Sequence, residues 1–103
     1  MSDRIAKLKS MLESEPDDAF CMYGLAMEHA RLGRLQEAVA WFDQTLIVDP
    51  DHCYAHFHKA RCQEQAGDVE AATATLQEGL ERAKSQGDAK AAGEIAAYLD
   101  QLT

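Results

Sequence analysis

Three histidines and a cysteine lie close together in the sequence and form its most obvious candidate for chemistry. The segment reads His52-Cys53-x2-His56-x-His58. His52 and His56 are four residues apart, so a helix would place both imidazoles on one face, where they could hold a transition metal. No second pair of ligands follows at zinc-finger spacing, and no H-E-x-x-H segment occurs. We therefore predict structural or exposed histidines, with no metal and no cofactor.

The same segment could also supply a nucleophile and a base. Cys53 would need His56 or His58 to remove its proton, and a third group to orient that histidine. The sequence offers no such third group, and it contains neither a glycine-rich phosphate loop nor a G-x-S-x-G segment. The pattern predicts that the chain is not an enzyme.

The three cysteines are odd in number and form no C-x-x-C pair. This pattern favours reduced thiols that pack as small apolar side chains. The cysteines concerned are Cys21, Cys53 and Cys62.

Composition limits the possible partners. The 103 residues are 47% apolar and 27% charged, as expected for one globular domain, and the net charge is −8. Nucleic acids and anionic membranes are poor partners for such a chain because phosphates require clustered Lys and Arg. A basic or neutral protein fits better, although the acidity could serve only solubility. No apolar run approaches the roughly 20 residues of a membrane span, and the first residues lack an apolar signal core. We expect a cytoplasmic protein.

Apolar residues at helical spacing, separated by turn residues, predict an all-α fold of about six helices. The breaks fall at Pro16, Gly33, Pro50, Gly67 and Gly87. Because every connection is short, consecutive helices should be antiparallel. The predicted segments are 3–14, 19–32, one helix between 33 and 50, 53–66 with Asp51 as its start signal, 69–85 capped by Asp68, and a last helix capped by Asp88.

The sequence repeats with an offset of 34 residues. A fixed period of this length is typical of stacked helical pairs, in which small residues mark close crossings and larger ones fill the gap between pairs. The matched positions are Pro16 with Pro50, Ala26 with Ala60, Gly33 with Gly67, Ala38 with Ala72, Phe42 with Leu8 and Leu76, and Leu46 with Leu12 and Leu80.

This pattern resembles the tetratricopeptide repeat. One unit reads Met22-x2-Leu25-Ala26-x2-His29, then Ala38-x3-Phe42 and Pro50; the next reads His56-x2-Lys59-Ala60-x2-Gln63, then Ala72-x3-Leu76, with Lys84 where Pro is expected. The resemblance implies a right-handed superhelical stack of antiparallel helix pairs. Residues 1–18 would form a half repeat, 19–52 and 53–86 two full repeats, and 87–103 a capping helix. Lys59 departs from the expected Leu, so the second repeat should pack less tightly there or lay the lysine stem along apolar surface.

The resemblance further implies that the first helix of each repeat lines a concave face that binds a peptide or a partner protein. Several family members bind the acidic C-termini of heat-shock chaperones with a clamp of Lys and Asn on this face. Here Tyr23, Met27 and His58 stand at such positions, so that partner is disfavoured. We expect instead a short segment with an apolar side chain and a carboxylate near Arg31 or Arg61. The candidate binding residues are Phe20, Tyr23, Met27, Arg31, Tyr54, Phe57, His58 and Arg61.

Two alternatives stay open from the sequence. Phe20, Tyr54 and Phe57 of this face could simply pack between helices. The chain could also be a structural self-assembly unit, in which a terminal helix pairs with another copy, so it would be a monomer or a weak homo-oligomer. Two glycines inside predicted helices, Gly24 and Gly79, each cost about 1 kcal/mol relative to alanine. We expect Gly24 on the concave face and a loosened helix around Gly79.

Overall fold

The computed structural model describes residues 3–103, which form six α-helices and no strand. The predicted all-α helical repeat fold is therefore confirmed, while residues 1 and 2 of the predicted half repeat lie outside the described part. Within that part, no helix is both long and apolar enough to cross a bilayer. The helices are α1 (Asp3–Ser14), α2 (Ala19–Arg31), α3 (Leu35–Val48), α4 (Cys53–Gln65), α5 (Val69–Ser85) and α6 (Ala89–Leu102).

Side-chain caps fix where the helices begin. Asp18 accepts a hydrogen bond from the Cys21 amide at 3.2 Å, and Asp68 and Asp88 cap α5 and α6 in the same way. The sequence suggested Asp51 as the start signal of α4. The N-cap is instead His52, whose Nδ1 accepts from the Ala55 amide at 3.1 Å.

Three glycines with positive φ end helices α2, α4 and α5, at Gly33, Gly67 and Gly87. Their φ values of 77°, 88° and 71° lie in the left-handed region, which suits glycine because it has no Cβ. The chain therefore reverses direction within a few residues after each helix.

Consecutive helices pack in pairs, and α4 also contacts α2 on one side and α6 on the other. Helices α2, α4 and α6 thus lie side by side and run in the same direction, forming one face of a slab measuring 38 × 29 × 18 Å. Phe42, Leu76 and Ile95 are fully buried beneath that face. Phe42 and Leu76 fill the positions that the repeat pattern assigned to large core residues.

Lys59 lies on α4, where the first repeat has the fully buried Leu25. Its side chain is only 20% exposed, and its Nζ pairs with Asp43 Oδ1 of α3 at 2.7 Å. The lysine therefore buries its stem between the helices and neutralises its charge at the edge, the second of the two outcomes expected for this position.

The two helical glycines lie at close contacts between helices. A Cβ added to Gly24 would be 3.3 Å from Leu8 Cδ1, so this position faces α1; the expectation that it belongs to the concave face was wrong. A Cβ added to Gly79 would be 2.7 Å from His56 Cβ. Gly79 is itself buried. The missing side chain of Gly79 therefore allows α4 and α5 to pack closely. The sequence suggested only that this glycine would loosen α5 locally.

Candidate functional site

The face formed by α2, α4 and α6 contains two neighbouring clefts, which together we call the groove. The first, between α2 and α4, has a volume of about 220 Å³. Four of the eight candidate binding residues line it: Met27, Arg31, His58 and Arg61. The second, between α4 and α6, has a volume of about 230 Å³.

Arg61 lines both clefts, so the second cleft continues the first. Phe57 and Glu64 of α4 face Tyr98 and Gln101 of α6 across it. The sequence interpretation treated α6 only as a cap and missed Tyr98. Two features of the sequence could have pointed to Tyr98 as a residue of this face. It is the single aromatic residue after Gly87, and it lies one repeat length, 34 residues, after Glu64.

A continuous series of ring contacts connects α2, α4 and α6, and three of its rings, His58, Phe57 and Tyr98, line the clefts. Tyr23 stacks on His52, with ring centroids 4.5 Å apart, and makes an edge contact with the buried Phe42 at 5.9 Å. Phe57 contacts His58 at 5.4 Å and Tyr98 at 5.3 Å. Such contacts fix ring orientations. Phe57 and His58 therefore have a packing role and also line the clefts, whereas Tyr23 packs beside them.

Two candidate residues lie nearer the end of the face where α2 and α4 begin. Phe20 is 76% exposed and lines neither cleft. Tyr54, also outside both clefts, donates a hydrogen bond from its hydroxyl to Glu94 Oε1 of α6 at 3.2 Å. Five of the eight predicted residues therefore line the clefts, Tyr23 packs against His58 beside them, and Phe20 and Tyr54 lie beyond them.

The two arginines of the groove differ in how they are held. Arg31 donates to the carboxylate of Glu28 one turn earlier on α2. Within residues 3–103, the Arg61 guanidinium makes no hydrogen bond or ion pair, and its side chain is exposed. Arg61 is therefore the cation of the groove that is available to an anionic ligand. The charge of Arg31 is already balanced by the carboxylate of Glu28.

Ionisation in the groove follows from burial. Burial, followed by the charge of Arg61, lowers the pKa of His58, so this imidazole is neutral near pH 7. Burial also raises the pKa of Tyr23 and of Tyr98, whose hydroxyl is hydrogen-bonded to Glu64. Both phenols therefore stay protonated and can act as hydrogen-bond donors.

The histidines near Cys53 point to different places. His52 caps α4, His56 is buried against α5 with Nε2 3.4 Å from the Pro50 carbonyl oxygen, and His58 lies in the groove. Over residues 3–103, no group of three His, Cys, Asp or Glu side chains is arranged to hold a metal ion.

The cysteines are free and buried, as the sequence predicted. The Cys53 thiol donates to the Asp51 carbonyl oxygen at 3.5 Å, and burial raises its pKa. Because the thiolate is the reactive form, both features oppose the nucleophile considered above.

The chain is similar to known proteins built from tetratricopeptide repeats. A family model described as tetratricopeptide repeat matches residues 5–52 and 23–89. Superkiller protein 3 of Schizosaccharomyces pombe is 34% identical over 74 residues. That segment covers 72% of this chain but only 5% of the relative, so the similarity concerns one small part of a much longer protein.

Solved structures share the architecture. A tetratricopeptide repeat domain protein from Salinibacter ruber superposes with a TM-score of 0.78 at 28% identity, covering 84% of this chain and 88% of that one. PcrH of Pseudomonas aeruginosa, solved in complex with the chaperone binding region of PopD, gives a TM-score of 0.88 at 21% identity over 95% of this chain and 74% of PcrH. At that identity, the second match shows the fold alone.

Proposed function

The chain belongs to the tetratricopeptide repeat family, and from that premise we propose that it is an interaction module that binds a peptide or partner segment in the groove. Proteins of this family are in general non-catalytic interaction modules. The proposed repeat division remains 1–18, 19–52, 53–86 and 87–103. Cytoplasmic residence likewise remains a proposal.

The observation that carries the proposal is Arg61, a cation that pairs with no group of residues 3–103 and stands between two partly apolar clefts. Met27 lies on one side of Arg61, and Phe57 and Tyr98 lie on the other. Aromatic residues and Arg are the types that most often anchor protein interfaces, and Met adapts to varied side chains. The arrangement suits a short segment with an apolar side chain in a cleft and a carboxylate at Arg61.

The ring series supports the same proposal. Because Tyr23, His58, Phe57 and Tyr98 hold one another in place, the groove is formed before a ligand arrives. A preformed site loses less conformational entropy on binding. PcrH, which shares this fold, was solved in complex with the chaperone binding region of another protein, PopD. That complex agrees with the proposal without identifying a partner for this chain.

Arg61→Ala is expected to weaken partner binding about tenfold, the loss that corresponds to about 1.4 kcal/mol. The test is affinity capture from native lysate with immobilised protein, identification of what elutes, and titration of the identified partner. Lys9→Ala is the matched control, since Lys9 is exposed on α1, away from the groove. Arg31→Ala should have a smaller effect than Arg61→Ala because Arg31 is paired with Glu28.

Unchanged binding of the captured partner to Arg61→Ala, with α-helical circular dichroism intact, would place the interaction elsewhere. Equal losses for Lys9→Ala and Arg61→Ala would show general electrostatic attraction instead of a site at the groove.

Self-assembly is the second candidate function, and it would use exposed apolar residues on the outer helices. Met11 of α1 is 51% exposed and Ile47 of α3 is 72% exposed. We expect light scattering at increasing concentration to give the 11.4 kDa mass of a monomer, since exposed single apolar residues are normal on protein surfaces. A stable dimer mass that reverts on Met11→Lys substitution would instead support assembly through α1.

A further inference from the structure

The charges along the α2–α4–α6 face are distributed unevenly. The loops that precede α2, α4 and α6 all lie at one end of this face. Tyr23, near the start of α2, stacks on His52, which directly precedes α4. Gln86, in the loop before α6, donates from Nε2 to the carbonyl oxygen of Asp51, in the loop before α4, at 3.1 Å. These loops are rich in acids, of which Asp51 pairs with Arg82 at 3.4 Å. The acidic residues concerned are Glu15, Asp17, Asp18, Asp49, Asp51 and Asp88.

Within residues 3–103, one carboxylate with no cationic partner stands on the face near this end. Glu94 of α6 is exposed and accepts a hydrogen bond from the Tyr54 hydroxyl at 3.2 Å. Lys90 lies one turn earlier on α6, yet the structure of the described chain shows no ion pair between them. The carboxylate of Glu94 is therefore positioned beside an aromatic ring and left without a counter-charge.

We propose that Tyr54 and Glu94 form a subsite for a basic side chain, Lys or Arg, of the segment bound in the groove. A carboxylate supplies the counter-charge, and the ring of Tyr54 supplies a face or edge for the aliphatic stem and the cation. The net charge of −8 and the acidic loops attract such a group, whereas a second acidic residue would be repelled there. This inference rests on the proposed function.

The helix geometry gives the spacing of the ligand. Tyr54 and Arg61 are seven residues apart on α4, which corresponds to about 10 Å along the helix axis. An extended chain advances about 3.3 Å per residue, so a ligand that leaves the clefts at Arg61 and runs along α4 to Tyr54 should carry its acidic and basic residues about three residues apart. An apolar residue between them would reach the ring series. The ligand is thus a bipolar segment whose charge order fixes its direction in the groove.

The test is selection from a random heptapeptide library displayed on phage, against the wild-type protein and against Glu94→Gln. Peptides retained by wild type but not by Arg61→Ala define groove binders. Wild type is expected to enrich Lys or Arg about three positions from an acidic residue. Glu94→Gln is expected to lose that enrichment and to keep the apolar and acidic positions.

Affinities of one selected peptide then test the pairing directly. Replacing its basic residue with Gln should weaken binding to wild type about fivefold, as exposed ion pairs and cation–π contacts allow, and should leave binding to Glu94→Gln unchanged. Charge reversal, with Glu94→Lys and Glu in the peptide, should restore affinity. Tyr54→Phe, which keeps the ring and removes the hydroxyl, should give an intermediate loss.

The outcomes separate this inference from the proposed function. Groove binders without basic enrichment would overturn the basic subsite while supporting peptide binding. Enrichment that persists in Glu94→Gln, or charge reversal without recovery, would also overturn it. A library that yields no Arg61-dependent binder would count against both proposals.

Discussion

Replacing Gly79 with alanine is expected to lower the free energy of unfolding by about 2 kcal/mol, because the added methyl group overpacks the contact between α4 and α5. The new Cβ would be 2.7 Å from His56 Cβ and 3.1 Å from its Cγ. His56 Cβ is attached directly to the α4 backbone, so it cannot move away by a rotamer change. The helices must separate or His56 must leave its buried position, and either change outweighs the gain of about 1 kcal/mol in helix propensity.

Two other helical glycines provide matched controls for the same chemical change. Gly24→Ala would place its methyl group 3.3 Å from Leu8 Cδ1, the end of a flexible side chain. The small cost of this close contact and the gain in helix propensity should therefore nearly cancel. Gly93→Ala in α6 meets no atom within 4 Å and should stabilise the protein by about 1 kcal/mol. Urea unfolding of the three variants, followed by circular dichroism, gives the comparison.

The expected order of stability is Gly93→Ala, then Gly24→Ala, then Gly79→Ala. If Gly79→Ala were as stable as Gly93→Ala, local propensity alone would govern these positions and the close contact between α4 and α5 would be refuted.

The sequence predicted the helices well because their signals are local. Caps such as Asp68 and Asp88 and stops such as Gly33 act within a few residues, so spacing alone could locate them. His52 shows the limit of this reasoning. An imidazole nitrogen can cap a helix in place of a carboxylate, and the preference for Asp pointed instead to Asp51.

Features that depend on contacts between distant helices could not be predicted in the same way. The family resemblance identified Arg31 and Arg61 as candidates on the same face, but only the structure shows that Glu28 compensates Arg31 and that Arg61 has no such partner within residues 3–103. Tyr98 enters the groove because α6 packs beside α4. The contact that makes Gly79 necessary likewise joins two helices. Periodicity assigns residues to faces, whereas pairing across helices requires the packed structure.

Acidification from pH 7.5 to 5.5 is expected to lower the free energy of unfolding by on the order of 2 kcal/mol, because burial lowers the pKa of His29, His56 and His58 and keeps these imidazoles neutral in the folded protein. His29 is 5% exposed and His56 is 2% exposed, and neither Nδ1 has a hydrogen-bond partner among the described residues. Burial lowers the pKa of both below the ordinary 6.5, and this effect exceeds the opposing attraction of Glu37 for His29 and of the Pro50 carbonyl for His56.

The sign of this effect follows from which state binds protons. Below pH 6.5 the unfolded chain protonates these imidazoles while the folded protein does not, so stability is complete above pH 6.5 and falls until the pH reaches the folded-state pKa. Each pH unit between 6.5 and the folded-state pKa of one histidine corresponds to a loss of at most about 1.4 kcal/mol. Urea midpoints at half-unit pH intervals measure the slope.

His56→Leu separates the contribution of one histidine from that of the others. The leucine removes the titrating group and keeps an apolar side chain against α5, so part of the loss between pH 7.5 and 5.5 should disappear even if the absolute stability changes. The double variant with His29→Leu should keep only the pH dependence that His58 contributes. A wild-type protein with the same urea midpoint at pH 7.5 and 5.5 would show that the imidazoles are solvated or paired on protonation. In that case the buried, unpartnered positions of His29 and His56 in the described chain would be incorrect.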